Sequence, residues 1–148
     1  MPPQPLDDAS ISGADYLYRR IPPSQAPYNE NRRRRWPSSA ALLPSPDDDN
    51  EVSVYLGSAL EEHGLDPMDV LEGHEDYGLI CFPASSARAA GYGIRRDPVL
   101  NSKRPLRVDA VHAVLTGTPL TSKQKRKPAR TLLDDDRLVV IRDPIGCG

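Results

Sequence analysis

The chain has 148 residues, of which 19 are Lys or Arg and 21 are Asp or Glu, giving a formal net charge of −2. Apolar residues make up 38% of the sequence, below the usual share of about 45–50%, so a small core is expected for one domain. No apolar run approaches the roughly 18–20 residues that a membrane-spanning helix needs. The composition excludes membrane-spanning, collagen-like, coiled-coil and disulfide-scaffold classes.

The near-neutral charge conceals an asymmetry along the chain. Residues 1–80 contain 6 basic and 15 acidic side chains, whereas residues 81–148 contain 13 basic and 6 acidic ones. A dipolar chain can fold so that its halves attract each other, or it can present two charged patches to partners. We expect the halves to attract each other, in which case Arg32–Arg35, in the acidic half, should find carboxylate partners within the fold.

The first third of the chain is rich in proline. Residues 1–14 are polar and without periodicity, so a disordered N-terminal segment is expected there, and it shows no signal-peptide pattern. Aromatic and β-branched residues predict a strand over 16–21, followed by a long loop over 22–37. A strand over 52–56 then leads into a short helix over 58–63.

The clearest local signal is a helix that begins near residue 66. Asp66 can cap it, Pro67 suits its first position, and Asp69 suits its positive N-terminal end. The spacing of Met68 and Leu71 predicts that both face the core.

The rest of the chain predicts further strands and short helices in alternation. Residues 108–116 are apolar on both faces, which predicts a central strand. A helix is expected to begin at Thr121 and to kink or restart at Pro128. The other predicted elements are strands over 77–82, 92–96 and 138–141 and a helix over 85–90.

This pattern predicts an α+β protein with one small mixed sheet and several short helices packed on it. The expected organisation is a domain over 15–142 between the disordered segment 1–14 and a loose tail over 143–148. Cys81 and Cys147 match no zinc spacing and form no disulfide framework. A reducing, cytoplasmic setting is therefore expected.

Arg32, Arg33, Arg34, Arg35 and Trp36 form the most conspicuous basic cluster. Four guanidinium groups and an indole can grip phosphates and stack on a base, or the cluster can neutralise the acidic half of the chain. A second cluster comprises Lys123, Lys125, Arg126 and Lys127. Together the two clusters predict, as one alternative, weak binding of nucleic acid.

His112 lies among apolar residues of a predicted strand, where a histidine is usually a hydrogen-bonded core residue. A metal site would need further His or carboxylate ligands at suitable spacing. His63 and His74 lie in different segments, so no metal is predicted.

The order of several motifs resembles that of RES-type toxins, which are similar to ADP-ribosyltransferases and consume NAD. The motifs are Tyr18-Arg19 in a strand, Arg35-Trp36 in a loop, and a Tyr55-containing strand that leads into a helix with Glu61 and Glu62. The resemblance implies that Arg19 grips the pyrophosphate and a glutamate stabilises the oxocarbenium-like state, with a later serine in the pocket. The candidate catalytic residues are then Arg19, Tyr55, Glu61, Glu62, Ser85 and Ser86, and the cofactor is NAD.

The chain is also similar to small bacterial proteins of unassigned function, through its Leu-Tyr-Arg-Arg-Ile and late His-Ala segments. Because no complete catalytic motif is present, the main hypothesis is an accessory protein that binds another protein and needs no cofactor. The NAD-consuming enzyme and the nucleic-acid binder remain the two alternatives.

Overall fold

A computed structural model describes residues 6–43, 51–117 and 122–146. Within these residues no helix is long and apolar enough to cross a membrane. The strands are β1 (Tyr16–Ile21), β2 (Tyr28–Asn29), β3 (Arg34–Arg35), β4 (Glu51–Leu56), β5 (Gly78–Pro83), β6 (Gly93–Arg96), β7 (His112–Thr116) and β8 (Val139–Arg142). The helices are α1 (Gly57–Glu62), α2 (Ala84–Ala90) and α3 (Ser122–Leu133).

Six strands form one sheet in the order β6-β7-β4-β1-β5-β8, and β2 pairs with β3 in a separate hairpin. The α+β class is confirmed, but every strand pair is antiparallel, so the sheet is not mixed. An antiparallel pair needs no long crossover between its strands, which suits a chain whose helices α1 and α2 have only six and seven residues. The strand β7 lies second from one edge, outside the central position that its sequence predicts.

The two faces of the sheet are covered differently. The helix-covered face carries Leu17, Ile21 and Phe82, which form the main core with α2, α3 and the 3-10 helix Ser39–Leu42. The half-covered face carries Tyr18, Tyr55 and Leu79. Its cover is α1 with two 3-10 helices, and together they form a second, smaller cluster. These two 3-10 helices are Pro67–Leu71 and Arg107–Val111.

Residues 6–14, for which the sequence predicts disorder, make specific contacts in the structure. Ile11 is only 1% exposed in the main core, and the Asp8 amide donates to the Ile94 carbonyl at 2.7 Å. The Thr116 hydroxyl donates to the Leu6 carbonyl. This segment therefore covers β6 at one edge of the sheet, because backbone hydrogen bonds and a buried isoleucine offset its polar composition. Residues 1–5 lie outside the described residues.

The predicted loose tail also has fixed contacts over its described part, residues 143–146. The Ile145 amide donates to the Asp76 carbonyl at 2.8 Å, and Arg35 donates to the carbonyls of Pro144 and Gly146. The sequence could not show these contacts, because their partners lie about 70 and 110 positions earlier in the chain. Residues 147–148 lie outside the described residues.

The predicted cap at Asp66 is confirmed, although the helix that it begins is a five-residue 3-10 helix, Pro67–Leu71. Asp66 accepts from the Met68 amide at 2.9 Å, and Asp69 accepts from the Asp66 amide at 2.8 Å. Met68 is 42% exposed, so its predicted burial is wrong. The expectation assumed a period of 3.6 residues, whereas this 3-10 helix buries the adjacent Val70 and Leu71.

The predicted strand over 108–116 begins only at His112. Residues Arg107–Val111 form a 3-10 helix instead, in which the Asp109 carboxylate accepts from the Leu106 amide at 2.9 Å. This local side-chain bond offers the backbone an alternative to a strand ladder. Val108 and Val111 are buried on the half-covered face, so the apolar pattern stays satisfied. The helix α3 continues through Pro128, so it does not restart there.

Candidate functional site

The six candidate catalytic residues do not meet in one pocket. Arg19 follows the alternation of β1 and lies between Leu17 and Ile21 on the helix-covered face. Its guanidinium donates to the carbonyls of Ala41 at 3.0 Å and Ser53 at 2.9 Å. Arg19 thus ties the 3-10 helix Ser39–Leu42 to β4.

Tyr55 lies on the opposite face of the sheet from Arg19. It pairs in register with Tyr18, one position before Arg19. Tyr55 is buried against the ring of His112, with 5.5 Å between the ring centroids, and the Arg20 guanidinium lies 5.1 Å from its ring. Burial raises the pKa of Tyr55, so its hydroxyl stays neutral. Its ring packs in the smaller cluster.

The glutamates and serines occupy two further places. Glu61 and Glu62 are exposed on α1, which packs on the half-covered face through Leu60. Ser85 and Ser86 lie on α2, in the helix-covered layer, where the Ser85 hydroxyl accepts from Arg137 at 3.0 Å and Ser86 is buried. The side chains that the resemblance assigns to one NAD pocket therefore lie on both sides of the sheet.

The Arg35 guanidinium donates to four backbone carbonyl groups from two separate parts of the chain. It donates to Ala26 at 2.7 Å, to Pro23 at 2.8 Å, to Pro144 at 3.1 Å and to Gly146 at 2.5 Å. These bonds join the loop after β1 to the segment that follows β8. Arg35 therefore acts as a structural clamp, because its N–H donors hold these two segments together.

Arg32 and Arg34 find the carboxylate partners expected from the charge asymmetry. Arg32 lies 3.6 Å from Asp134 and stacks 3.8 Å from the Trp36 ring centroid. Arg34 lies 3.0 Å from Asp143. Trp36 packs partly buried against the main core. Arg33 is exposed, with a positive φ of 55°. The cluster therefore contributes mainly to packing within the chain.

The second basic cluster lies on α3. Arg126 and Lys127 are exposed there, while Ala129 and Leu132 are buried in the main core. The side chains of Lys123 and Lys125 lie outside the described part. The first basic cluster contacts the same helix, since Arg32 donates to the Leu133 carbonyl at 3.4 Å. Lys127 lies six residues before Leu133, so about 9 Å of helix separates it from this contact.

Further ion pairs join the basic second half to the acidic first half. Arg88 pairs with Asp7 at 3.1 Å, Arg96 with Asp8 at 2.7 Å, Arg95 with Glu51 at 2.5 Å, and Arg107 with Asp69 and Glu72 at 2.9 and 2.8 Å. The expected attraction between the halves is confirmed. Solvent screens exposed ion pairs, which makes each of them weak, so the pairs specify where segments lie more than they stabilise them.

His112 is a core residue, as its position in the sequence predicts. Its Nδ1 donates to the Asp97 carbonyl at 2.7 Å, and its ring packs on Tyr55. Across the described residues, no three His, Cys, Asp or Glu side chains are grouped to hold a metal ion.

An open cavity of about 500 Å³ lies at the end of the sheet where β1 begins and β4 leads into α1. Among its lining residues are Asp15, Tyr16, Tyr18, Ser58, Glu61 and Arg96. The Asp15 carboxylate accepts from the Ser58 amide at 3.0 Å and from the Ser58 hydroxyl at 2.6 Å. Burial, followed by nearby groups that include Asp15 and Asp66, raises the pKa of Tyr18.

Sequence reasoning identified only Glu61 among these cavity residues. The alternation of β1 does place Tyr16 and Tyr18 on one face, which was the available signal. Gly57 brings α1 close to them, since a Cβ there would lie 3.0 Å from the Tyr16 carbonyl oxygen and 3.2 Å from the Tyr18 ring. Nothing local in the sequence indicates this close approach.

A second surface feature lies on β8, the last strand at its end of the described sheet. Val139 is 51% exposed and Ile141 is 40% exposed, whereas Val140 between them packs against the main core. Val139 pairs in register with Cys81, which is buried with its thiol free. This edge therefore carries apolar side chains directed away from the main core.

Searches of family models, curated proteins and solved structures found no match to this chain.

Replacing Arg35 by lysine keeps the charge but removes the planar fork that reaches several carbonyls. We expect the free energy of unfolding to fall by about 1–2 kcal/mol, because carbonyl groups lose their charged donors. Urea titration measures this change. Arg33→Lys is the matched control, expected to change the same quantity by less than about 0.5 kcal/mol because its side chain is exposed. Equal effects of the two variants would contradict the clamp.

Proposed function

We propose that this protein is a small accessory protein that acts by binding another protein and carries no catalytic activity of its own. The observation that carries the proposal is the edge strand β8, with Val139 and Ile141 exposed on either side of the core-facing Val140. An edge strand offers backbone donors and acceptors to a further strand, and alternate side chains supply specificity.

The opposite edge supports this assignment by contrast. There, residues 6–8 lie along β6, and the Ile94 amide donates to the Asp7 carboxylate at 3.0 Å. Natural proteins protect edge strands by covering them or by placing charged residues on them. Beyond β8 the described sheet has no further strand, and the exposed side chains of β8 include two apolar ones. We infer that a partner protein supplies the next strand.

Several basic residues and the catalytic candidate Arg19 already have partners within the chain, which favours a binding role over a catalytic one. Arg19 and Arg35 donate to backbone carbonyls, and Arg32 and Arg34 lie beside aspartates. These guanidinium groups would have to leave their partners before gripping a phosphate. The proposed setting is a bacterial cytoplasm, which would keep the free thiol of Cys81 reduced.

A photocrosslinking amino acid at position 139 tests the proposed surface in living bacterial cells. We expect one discrete adduct from Val139, because its side chain would lie in the interface. The matched control is the same amino acid at Thr131, which is exposed on α3 in the layer that covers the other face. The protein found in the adduct should also co-purify with the unsubstituted chain. Val139→Glu should abolish this co-purification, whereas the control variant Thr131→Glu should retain it.

Two outcomes would contradict the proposal. The first is an equal yield of adduct from positions 139 and 131, which would indicate random collision. The second is turnover of NAD by the purified protein, measured by mass spectrometry, that is lost in Arg19→Ala while the variant stays folded. That result would restore the enzyme hypothesis.

A further inference from the structure

The cavity at the end of the sheet combines two aromatic rings with two carboxylates. Tyr16 and Tyr18 line it from β1, Glu61 lines it from α1, and Asp15 lies just before β1. Aromatic faces attract cations placed over them, and carboxylates accept charge-assisted hydrogen bonds from cations. The four side chains are therefore a matched set for a positively charged organic group.

The charge balance of the cavity leaves it negative. Arg96 is the lining residue of opposite sign, but it lies 2.7 Å from the Asp8 carboxylate and 2.9 Å from the Ser10 hydroxyl. Arg96 and Asp8 thus compensate each other, while Asp15 and Glu61 contribute two negative charges. Burial and nearby groups, Asp15 and Asp66 among them, raise the pKa of Tyr18, which keeps its hydroxyl protonated and its ring neutral.

The Asp15 carboxylate of the cavity is held in place before any ligand binds. Asp15 is fixed by the amide and the hydroxyl of Ser58, and each of these bonds uses one lone pair of a carboxylate oxygen that has a second. The Gly57 backbone packs against Tyr16 and Tyr18, which holds α1 and its exposed Glu61 beside the rings. A preformed site of this kind avoids much of the ordering cost of binding.

From this geometry we infer that the cavity is a binding site for a guanidinium group carried on a short apolar stem. A planar guanidinium stacks on tyrosine and donates in parallel to a carboxylate, which suits this set of side chains better than a compact ammonium group. The source of the group is either a free small molecule or an arginine side chain of a peptide. The site does not depend on a partner at β8.

Titration of the ¹⁵N-labelled protein with N-acetyl-arginine amide tests the inference. We expect saturable shifts of the Gly57 and Ser58 amide signals, because both residues line the cavity. The neutral isostere N-acetyl-citrulline amide has nearly the same shape without the charge, and it should cause no saturable shift.

A pair of neighbouring variants separates charge in the cavity from charge near it. Glu61→Gln should weaken binding of N-acetyl-arginine amide about tenfold, because it removes one charged acceptor. Glu62→Gln makes the same change one residue further along the exposed end of α1, outside the cavity lining, and should alter affinity less than about twofold. Both positions are exposed, so both variants are expected to fold.

The inference is overturned if the citrulline compound binds as well as the arginine compound, if Glu61→Gln and Glu62→Gln weaken binding equally, or if no cation gives a saturable shift at millimolar concentration. Two further probes distinguish the source of the group. Tighter binding of agmatine than of an Ala-Ala-Arg-Ala-Ala peptide supports a free small molecule as the ligand. Tighter binding of the peptide supports an arginine side chain of a protein.

Discussion

Replacing Phe82 by alanine is expected to lower the free energy of unfolding by about 3–5 kcal/mol, the usual cost of truncating a buried phenylalanine. Phe82 lies in β5 between β1 and β8, and it is fully buried in the main core on the helix-covered face. A domain of this size is stable by only about 5–15 kcal/mol, so the variant should unfold at a much lower urea concentration.

The control for this prediction lies on the neighbouring strand. Val139→Ala also shortens an apolar side chain of the sheet, but at a half-exposed position, and should change the free energy of unfolding by less than about 0.5 kcal/mol. A cost at Phe82 no larger than that at Val139 would mean that α2 and α3 do not cover the sheet as described. A large cost at Val139 would mean that β8 is covered.

Replacing Gly93 by alanine is expected to cost about 3 kcal/mol, at the upper end of what overpacking usually costs. A Cβ at this position would overlap the Leu6 carbonyl oxygen and lie 2.5 Å from the Thr116 hydroxyl. Since the nearest atom belongs to backbone, the segment 6–8 or β6 would have to move. Hydrogen exchange should show faster exchange of the Asp8 amide, and urea titration gives the loss of stability.

The Gly64→Ala variant is the control for Gly93. Gly64 has a positive φ of 67° and no atom within 4 Å of the position of a Cβ, so only backbone strain of about 1 kcal/mol is added. Exchange of the Asp8 amide should stay slow in this variant. If Gly93→Ala also left that exchange slow, the Leu6 carbonyl would not lie against Gly93 as described. Fast exchange of the Asp8 amide already in the unsubstituted protein would mean that the segment 6–8 is not held on β6, as the predicted disorder of the N-terminus requires.

Local chemistry predicted several elements well. The alternation of β1 placed Arg19 with Leu17 and Ile21, and Asp66 caps the turn that follows it. Predictions failed where a local bond competed with a pattern, as at Asp109, whose carboxylate closes a 3-10 turn where apolar residues indicated a strand. Short-range geometry of this kind depends on a single side chain, and an average over a window of residues does not represent it.

The candidate sites were harder to predict than the elements. Among the described residues, the expectation that the arginine cluster finds carboxylates within the fold is confirmed for Arg32 and Arg34 and for neither Arg33 nor Arg35. Arg35 instead donates to backbone carbonyls up to 111 positions away, and any residue has a carbonyl. The cavity at Asp15 and Glu61 forms only because Gly57 lets α1 approach β1.

Composition and local chemistry were enough to predict the α+β class, the approximate strands, the cap at Asp66 and the mutual attraction of an acidic half and a basic half. These properties follow from nearest neighbours or from total composition, both of which a linear chain displays. Tertiary structure alone decided the antiparallel strand order, the covering of β6 by residues 6–8 and the exposure of β8. It also placed Arg19 and Tyr55 on opposite faces of the sheet. Those outcomes depend on which distant surfaces pack together, and packing is a competition among all segments at once.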